Sequence, residues 1–140
     1  MTRLPRELVK RIRQQAGQRC GYCRCPQRLL PAPLEIEHII PRSKDGTDDE
    51  TNLWLACATC NSHKSDKTHA VDPITGDEVA LFNPRTESWN AHFVWTEDGL
   101  TLRGLTPTGR ATIAALKIND DPHMLVARAV WVQAGLHPDK

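Results

Sequence analysis

Four cysteines in two Cys-x-x-Cys pairs are the residues whose type and spacing point most directly to chemistry. The first pair is Cys20 and Cys23, and the second pair, Cys57 and Cys60, follows after 33 residues. Each pair directs two sulfur atoms at one point, so two pairs complete the tetrahedral site that Zn²⁺ prefers. Four protein ligands leave no open coordination position, and we therefore predict a structural zinc that stabilises a small core.

A redox-active dithiol and buried free thiols are the alternative interpretations of these cysteines. In a reducing compartment, paired Cys-x-x-Cys units hold metal more often than they form disulfides. Cys25 lies two residues after Cys23 and fits neither pair. We interpret Cys25 as a spare thiol outside the zinc site.

A second group of polar residues lies between and beside the cysteine pairs. Glu37 and His38 end a run of alternating apolar and acidic residues, LEIEH, that is typical of a strand. Asn52 follows His38 by 14 residues, and Asn61 comes directly after Cys60. Taken one at a time, these are ordinary structural, turn or helix-capping residues. Their order within the frame of the cysteine pairs favours a catalytic group.

Three segments that carry this group resemble the HNH endonuclease family. They are CGYC, EHIIPRSKDG and TNLWLACATCNSHK, and together they cover about residues 18–67. The resemblance implies a two-stranded hairpin followed by a helix, the ββα-metal motif, which holds one divalent cation. The predicted fold class is therefore α+β, with a ββα-metal nuclease motif stapled by a four-cysteine zinc site and followed by a C-terminal β-hairpin and two-helix extension.

The resemblance also implies roles for individual residues in the hydrolysis of phosphodiester bonds in DNA. His38 would be the general base that deprotonates the attacking water, because imidazole titrates near neutrality. Glu37 and Asn61 would be ligands of a catalytic Mg²⁺ or Mn²⁺ ion, since such ions prefer oxygen atoms. Asn52 would orient His38 or pin the loop that carries it.

Two positions depart from the commonest pattern of the family. Asn61 stands where the third letter of the family name requires His, and Glu37 stands where Asp is more frequent. Both side chains still offer oxygen ligands. We therefore expect catalysis to be retained with an altered metal preference.

Basic residues around the group are candidate DNA contacts. Arg42 and Lys44 lie in the polar loop after the first strand, and Lys64 lies on the helix after the second cysteine pair. Such side chains can neutralise phosphates, and a solvated surface is the alternative interpretation. His63, three residues after Cys60, does not match the ligand position and is left out of the metal site.

Length and composition favour one domain, residues 1–140, with a zinc-bound core at about 18–67 and an extension at about 70–140. No apolar run is long enough for a membrane span, and the N-terminus lacks a signal-peptide pattern, so we expect a cytoplasmic protein without a membrane partner. The net charge of +1 divides into 12 Lys/Arg against 8 Asp/Glu up to residue 67 and 6 against 9 beyond it. This mild asymmetry does not by itself indicate nucleic acid.

The segment beyond residue 69 carries no motif with a chemical meaning, and its expected role is to buttress the core or to present a surface to DNA. Thr106-Pro107 and Asp121-Pro122 each combine an N-cap with proline at the first helical position. The expected elements of the whole chain are helices at about 5–16, 58–67, 107–117 and 122–134, and strands at about 34–38, 53–56, 91–95 and 100–105.

Two other classes of protein compete with the nuclease interpretation. One is a zinc-stapled nucleic-acid-binding module without catalysis, and the intact set Glu37, His38, Asn52 and Asn61 argues against it. The other is a zinc domain that binds protein. The sequence predicts DNA as the partner and indicates no oligomeric state.

Overall fold

The computed structural model of the protein describes residues 4–139, and these divide into two compact units. The first unit ends at Thr68 and also includes Asn83–Glu87; the second comprises His69–Phe82 and the residues from Ser88 onward. Both units combine short helices with two-stranded antiparallel sheets. The predicted mixture of helices and sheets is confirmed, and the organisation as one nuclease domain stays a prediction.

Helix α1 (Arg6–Gln15) opens the first unit and lies close to its predicted bounds. Ile12 and Ala16 are buried, so the apolar side of the helix faces the interior. Gly17 follows with a φ of +63°, a left-handed conformation in which glycine has no steric penalty. The chain can therefore turn sharply from α1 into the cysteine-rich segment.

Strands β1 (Glu35–His38) and β2 (Leu53–Ala56) pair antiparallel, with Glu37 opposite Trp54 and His38 opposite Leu53. Because side chains alternate along a strand, Glu37 and His38 belong to opposite faces of the hairpin. Helix α2 (Ala58–Lys64) follows β2 directly. The order strand, strand, helix agrees with the predicted bounds of these elements.

A loop of residues 39–52 joins β1 to β2, as predicted from its polar composition, and contains two 3₁₀ turns at Arg42–Lys44 and Glu50–Asn52. Gly46 lies where the loop returns against its own start, and its N–H donates to the carbonyl of Pro41 at 3.0 Å. A Cβ at Gly46 would overlap the carbonyl oxygen of Ile40. Only glycine permits this close approach of two backbone segments.

The second unit contains a hairpin that was not predicted from the sequence, formed by β3 (His69–Val71) and β4 (Glu78–Ala80). Its strands have only three residues each, too short for a clear alternation of apolar and polar residues. The turn between them is held by Asp72, whose carboxylate accepts from the N–H of Ile74 and the hydroxyl of Thr75. From the sequence, only the turn residues between the two strands could be recognised.

The predicted hairpin of this unit forms, with β5 (Phe93–Trp95) paired to β6 (Leu102–Gly104). The first predicted strand begins too early, because Trp89–His92 form a one-turn helix, α3, instead. Its turn is closed by a hydrogen bond from the N–H of Ala91 to the carbonyl of Ser88 at 3.2 Å. Extended backbone therefore begins at Phe93, where pairing with Gly104 becomes available.

Helices α4 (Pro107–Ala115) and α5 (Pro122–Gln133) begin at the predicted caps. The side chain of Thr106 accepts from the N–H of Gly109, and that of Asp121 accepts from the N–H of Met124, each at 3.0 Å. Both caps therefore satisfy N–H groups that a helix start leaves without an intrahelical partner. No helix within residues 4–139 is long and apolar enough to cross a membrane.

In α5, Leu125, Ala129 and Val132 recur at helical spacing, a pattern that predicts one apolar stripe, but the buried face is a different one. Arg128 and Trp131 are the buried residues of this helix, whereas Ala129 is exposed. Arg128 can be buried because its guanidinium donates to the carbonyl oxygens of Leu100 and Ile118. Because arginine side chains are usually exposed, the helical pattern of apolar residues did not predict this burial.

We predict that Gly46→Ala lowers the free energy of unfolding by about 1–3 kcal/mol, because the added methyl group forces two backbone segments apart. Urea denaturation of the full chain measures the loss. Lys44→Ala, an exposed change in the same loop, is the control and leaves the stability within about 0.5 kcal/mol. Equal stabilities of the two variants would show that the loop yields without cost.

Candidate functional site

Five buried cysteines lie together in the first unit. Within this group, Cys20, Cys23, Cys25 and Cys57 have sulfur atoms that all lie within 4.8 Å of one another. The Sγ atoms of Cys23 and Cys57 are 3.7 Å apart. Zinc–sulfur bonds of about 2.3 Å in a tetrahedron require a similar separation, so four of these sulfurs fit one metal ion.

Backbone N–H groups point at the sulfur atoms of two of these cysteines. The N–H of Tyr22 donates to Sγ of Cys20 at 3.4 Å, and the N–H of Cys60 donates to Sγ of Cys57 at 3.3 Å. Hydrogen bonds of this kind stabilise the negative charge of a thiolate, which is the form that binds a metal. The cluster is therefore a candidate metal centre.

Cys25 is part of this group, although we interpreted it from the sequence as a spare thiol outside the zinc site. Its Sγ lies 3.4 Å from that of Cys23, and the residue is 2% exposed. Arg24 has a φ of +66°, which reverses the chain after Cys23, and the carbonyl of Cys25 accepts the N–H of Cys20 at 3.1 Å. This tight return directs the third sulfur of CGYCRC inward, a consequence of backbone geometry that cysteine spacing did not indicate.

Glu37 points into the interior of the first unit. Its carboxylate accepts from the hydroxyl of Tyr22 at 2.8 and 2.9 Å and lies 2.9 Å from the ammonium of Lys64. Lys64 also donates to the carbonyl oxygens of His38 and Ile39. Both charged residues are 2% exposed. Burial raises the pKa of Glu37, and the attraction of Lys64 and the hydrogen bond from Tyr22 oppose that shift.

These contacts bear on two roles that we predicted from the sequence. The carboxylate of Glu37 is already neutralised by Lys64 and shielded from solvent, so it does not fit a ligand of a catalytic cation in this arrangement. Lys64, expected to contact phosphate, is likewise buried and committed to Glu37. The spacing of the residues correctly placed Lys64 on α2, but it could not show which face of the helix carries it.

His38 lies on the other face of the hairpin and forms a short hydrogen bond with Asp48. The distance between Nε2 of His38 and Oδ1 of Asp48 is 2.7 Å. Asp48 also accepts from the guanidinium of Arg42, with Nη2 at 2.8 and 2.9 Å from its two oxygens. The hydrogen bonds from His38 and then from Arg42 hold the pKa of Asp48 below its ordinary value. Sequence reasoning missed Asp48, because an acidic residue in a polar loop gives no signal of its own.

A shallow cleft of about 260 Å³ opens beside the imidazole of His38. Asn61 reaches this cleft from α2, and its side-chain amide donates to Oε1 of Glu35 at 2.9 Å. The cleft is thus bounded by a base, an amide oxygen and a guanidinium. Its lining consists of Ile36, His38, Pro41, Arg42, Asn61 and Ser65.

Asn52 holds both ends of the loop that follows β1. Its Oδ1 accepts from the N–H of Ile40 at 2.8 Å, and its Nδ2 donates to the carbonyls of Ile40 and Thr47 at 2.9 and 2.8 Å. Of the two roles implied for Asn52, these contacts match the pinning of the loop. Since Asp48 follows Thr47, this clasp also fixes the carboxylate that meets His38.

The two loop cations that we predicted as DNA contacts are both accessible. The side chain of Arg42 is 46% exposed while it pairs with Asp48. Lys44 is exposed in the same 3₁₀ turn. Both therefore remain candidates for contact with a phosphate backbone.

Comparison with known proteins gives one match, to the family model described as HNH endonuclease, over residues 20–67. The matched segment contains both cysteine pairs, the hairpin β1–β2 and helix α2. No curated protein and no solved structure matches the chain. Residues 20–67 therefore match the HNH endonuclease family model, and the resemblance predicted from the sequence is confirmed for this segment.

We predict that Lys64→Met destabilises the protein by about 3–5 kcal/mol, because it leaves the carboxylate of Glu37 buried without its counter-ion. Urea denaturation measures this loss. Lys67→Met, which removes an exposed lysine three residues later, is the matched control. The double variant Glu37→Gln/Lys64→Met should recover part of the stability, and a double variant as unstable as Lys64→Met alone would contradict the pairing.

Proposed function

We propose that this protein is an endonuclease that hydrolyses phosphodiester bonds in DNA, with His38 as the general base. One observation carries the proposal: the imidazole of His38 is held by Asp48 beside the cleft that Arg42 and Asn61 line. This arrangement lies inside the segment that matches the HNH endonuclease model. Its parts supply a base, a cationic group for a phosphate and an oxygen ligand.

The contact with Asp48 prepares His38 for the removal of a proton from water. An ionised carboxylate only accepts hydrogen bonds, so Nε2 of the neutral imidazole carries the proton that is shared with Asp48. Nδ1 is then the basic nitrogen. As the attacking water loses a proton to Nδ1, the carboxylate stabilises the imidazolium that forms.

Arg42 contributes to the proposed site in two ways. Its guanidinium fixes the carboxylate of Asp48 through two parallel hydrogen bonds, and its positive charge lies at the rim of the cleft. A phosphate that approaches His38 would meet this charge. Lys44 on the same turn would extend the contact along the DNA backbone.

The proposed enzyme would bind two kinds of metal ion, one structural and one catalytic. A zinc ion bound by Cys20, Cys23, Cys57 and Cys60 would be structural, in line with the burial of all four residues. A catalytic Mg²⁺ or Mn²⁺ ion would stabilise negative charge on the phosphate when bound. Asn61 fits such an ion and Glu37, closed off by Lys64, does not, so Asn61 is the predicted ligand that stays available to it.

The second candidate function is a zinc-stapled nucleic-acid-binding module without catalysis. The observation that favours it is the buried ion pair of Glu37 and Lys64, which takes away the carboxylate that a catalytic cation would use. The exposed groups Arg42 and Lys44 serve this alternative equally well. A measurement of DNA cleavage is therefore needed to distinguish the two functions.

We predict that the purified, zinc-loaded full chain nicks supercoiled plasmid in the presence of Mg²⁺ or Mn²⁺, and that His38→Ala and EDTA each abolish nicking. Removal of the base is expected to cost a factor of about 10²–10⁴ in rate. His63→Ala, a change to a histidine outside the proposed site, is the control and keeps the activity. A folded wild type that binds but never cleaves DNA would establish the non-catalytic module.

We predict that Asp48→Asn lowers kcat by a factor of about 10² or more and leaves KM nearly unchanged, because the amide no longer fixes the tautomer or stabilises the imidazolium of His38. The ¹⁵N chemical shifts of the imidazole report the tautomer independently of activity. Asp45→Asn, in the same loop, is the matched control. An unchanged tautomer together with full turnover would remove Asp48 from the mechanism.

A further inference from the structure

Cys20, Cys23 and Cys57 belong to two overlapping sets of four buried cysteines. The sulfur of Cys25 lies within 4.8 Å of those of Cys20, Cys23 and Cys57. Cys60, the fourth member of the two Cys-x-x-Cys pairs, is buried in the same unit, and its N–H donates to Sγ of Cys57 at 3.3 Å. The trio therefore has two possible fourth members, whereas a zinc ion takes four ligands in such a site.

We propose that Cys25 is a fifth ligand of the metal centre, which can take the fourth coordination position in place of Cys60. Cys20, Cys23 and Cys57 then bind zinc in both arrangements, and Cys25 and Cys60 alternate. This exchange concerns the metal centre alone and does not depend on the nuclease activity. It goes beyond the two Cys-x-x-Cys pairs, which assign the fourth position to Cys60.

The position of the sulfur of Cys25 is set by the backbone on both sides of it. The N–H of Cys20 donates to the carbonyl of Cys25, and the guanidinium of Arg19 donates to the carbonyl of Arg24 at 3.0 Å. Arg19 and Pro26 form a β-bridge that closes the turn. A sulfur held at 3.4 Å from that of Cys23, in a residue 2% exposed, cannot easily turn away to solvent.

The exchange of the two ligands is redox-neutral and balanced in protons. When the thiol of Cys25 binds the ion it loses its proton, and the thiolate of Cys60 takes up one proton as its bond to the ion breaks. Four thiolates would hold the ion in either arrangement, so the total charge of the site would not change. Each of the three shared cysteines is a ligand in both arrangements, so its loss removes a thiolate from either one.

Cobalt binding to cysteine variants of the full chain tests the proposal, because the intensity of the sulfur-to-cobalt charge-transfer band increases with the number of bound thiolates. We expect Cys25→Ser and Cys60→Ser each to bind one equivalent of Co²⁺ with the four-thiolate spectrum of the wild type. The double variant should show a three-thiolate spectrum. Cys23→Ser is the control, and its affinity for zinc should fall by at least about 100-fold in competition with a chelator.

Two results would overturn the proposal. The first is a three-thiolate spectrum of Cys60→Ser, identical to that of the double variant, because Cys25 would then not have replaced the missing ligand. The second is recovery of Cys60→Ser as unfolded protein without metal, since a site completed by Cys25 would retain its ion and its fold. Zinc content and far-UV circular dichroism of each variant distinguish these results from the expected one.

Discussion

The ion pair between Glu37 and Lys64 is the interaction on which the arrangement of the first unit depends. It links the middle of the hairpin to the end of α2, away from water, and Tyr22 from the cysteine-rich turn completes it. Two buried charges are stable only when both are paired and hydrogen-bonded. The pair therefore fixes which face of β1 meets the helix, and the opposite face, which carries His38, is directed to the cleft.

The cysteine cluster provides the second constraint on the same elements. Cys57 caps α2, whereas Cys20, Cys23 and Cys25 come from the turn after α1, so a bound metal ion would join segments far apart in the chain. A unit of this size buries little apolar surface, and metal–thiolate bonds supply stability that such a core lacks. The same turn also places Tyr22 against Glu37.

The loop between the strands decides the chemistry of the other face. Asn52 clasps its two ends, Gly46 permits the backbone to fold back on itself, and Asp48 is thereby brought to the imidazole of His38. Preorganisation of this kind fixes the direction in which the imidazole points. The same loop carries Arg42 and Lys44, so in the proposed enzyme both the contact with phosphate and the activation of water would depend on one short segment.

The sequence alone determined the chemical inventory of the protein, because residue types and spacings report which groups can act together. The two cysteine pairs, the order of His38, Asn52 and Asn61, the hairpin β1–β2 and the caps of α4 and α5 were all visible in it. Only the tertiary structure decided the partners: Lys64 for Glu37, Asp48 for His38 and the sulfur cluster for Cys25. The reason is physical. The alternation of side chains along a strand shows that neighbours point apart, but it does not show which face is buried. A left-handed residue such as Arg24 redirects the side chain that follows it, and the spacing of the cysteines gives no sign of this.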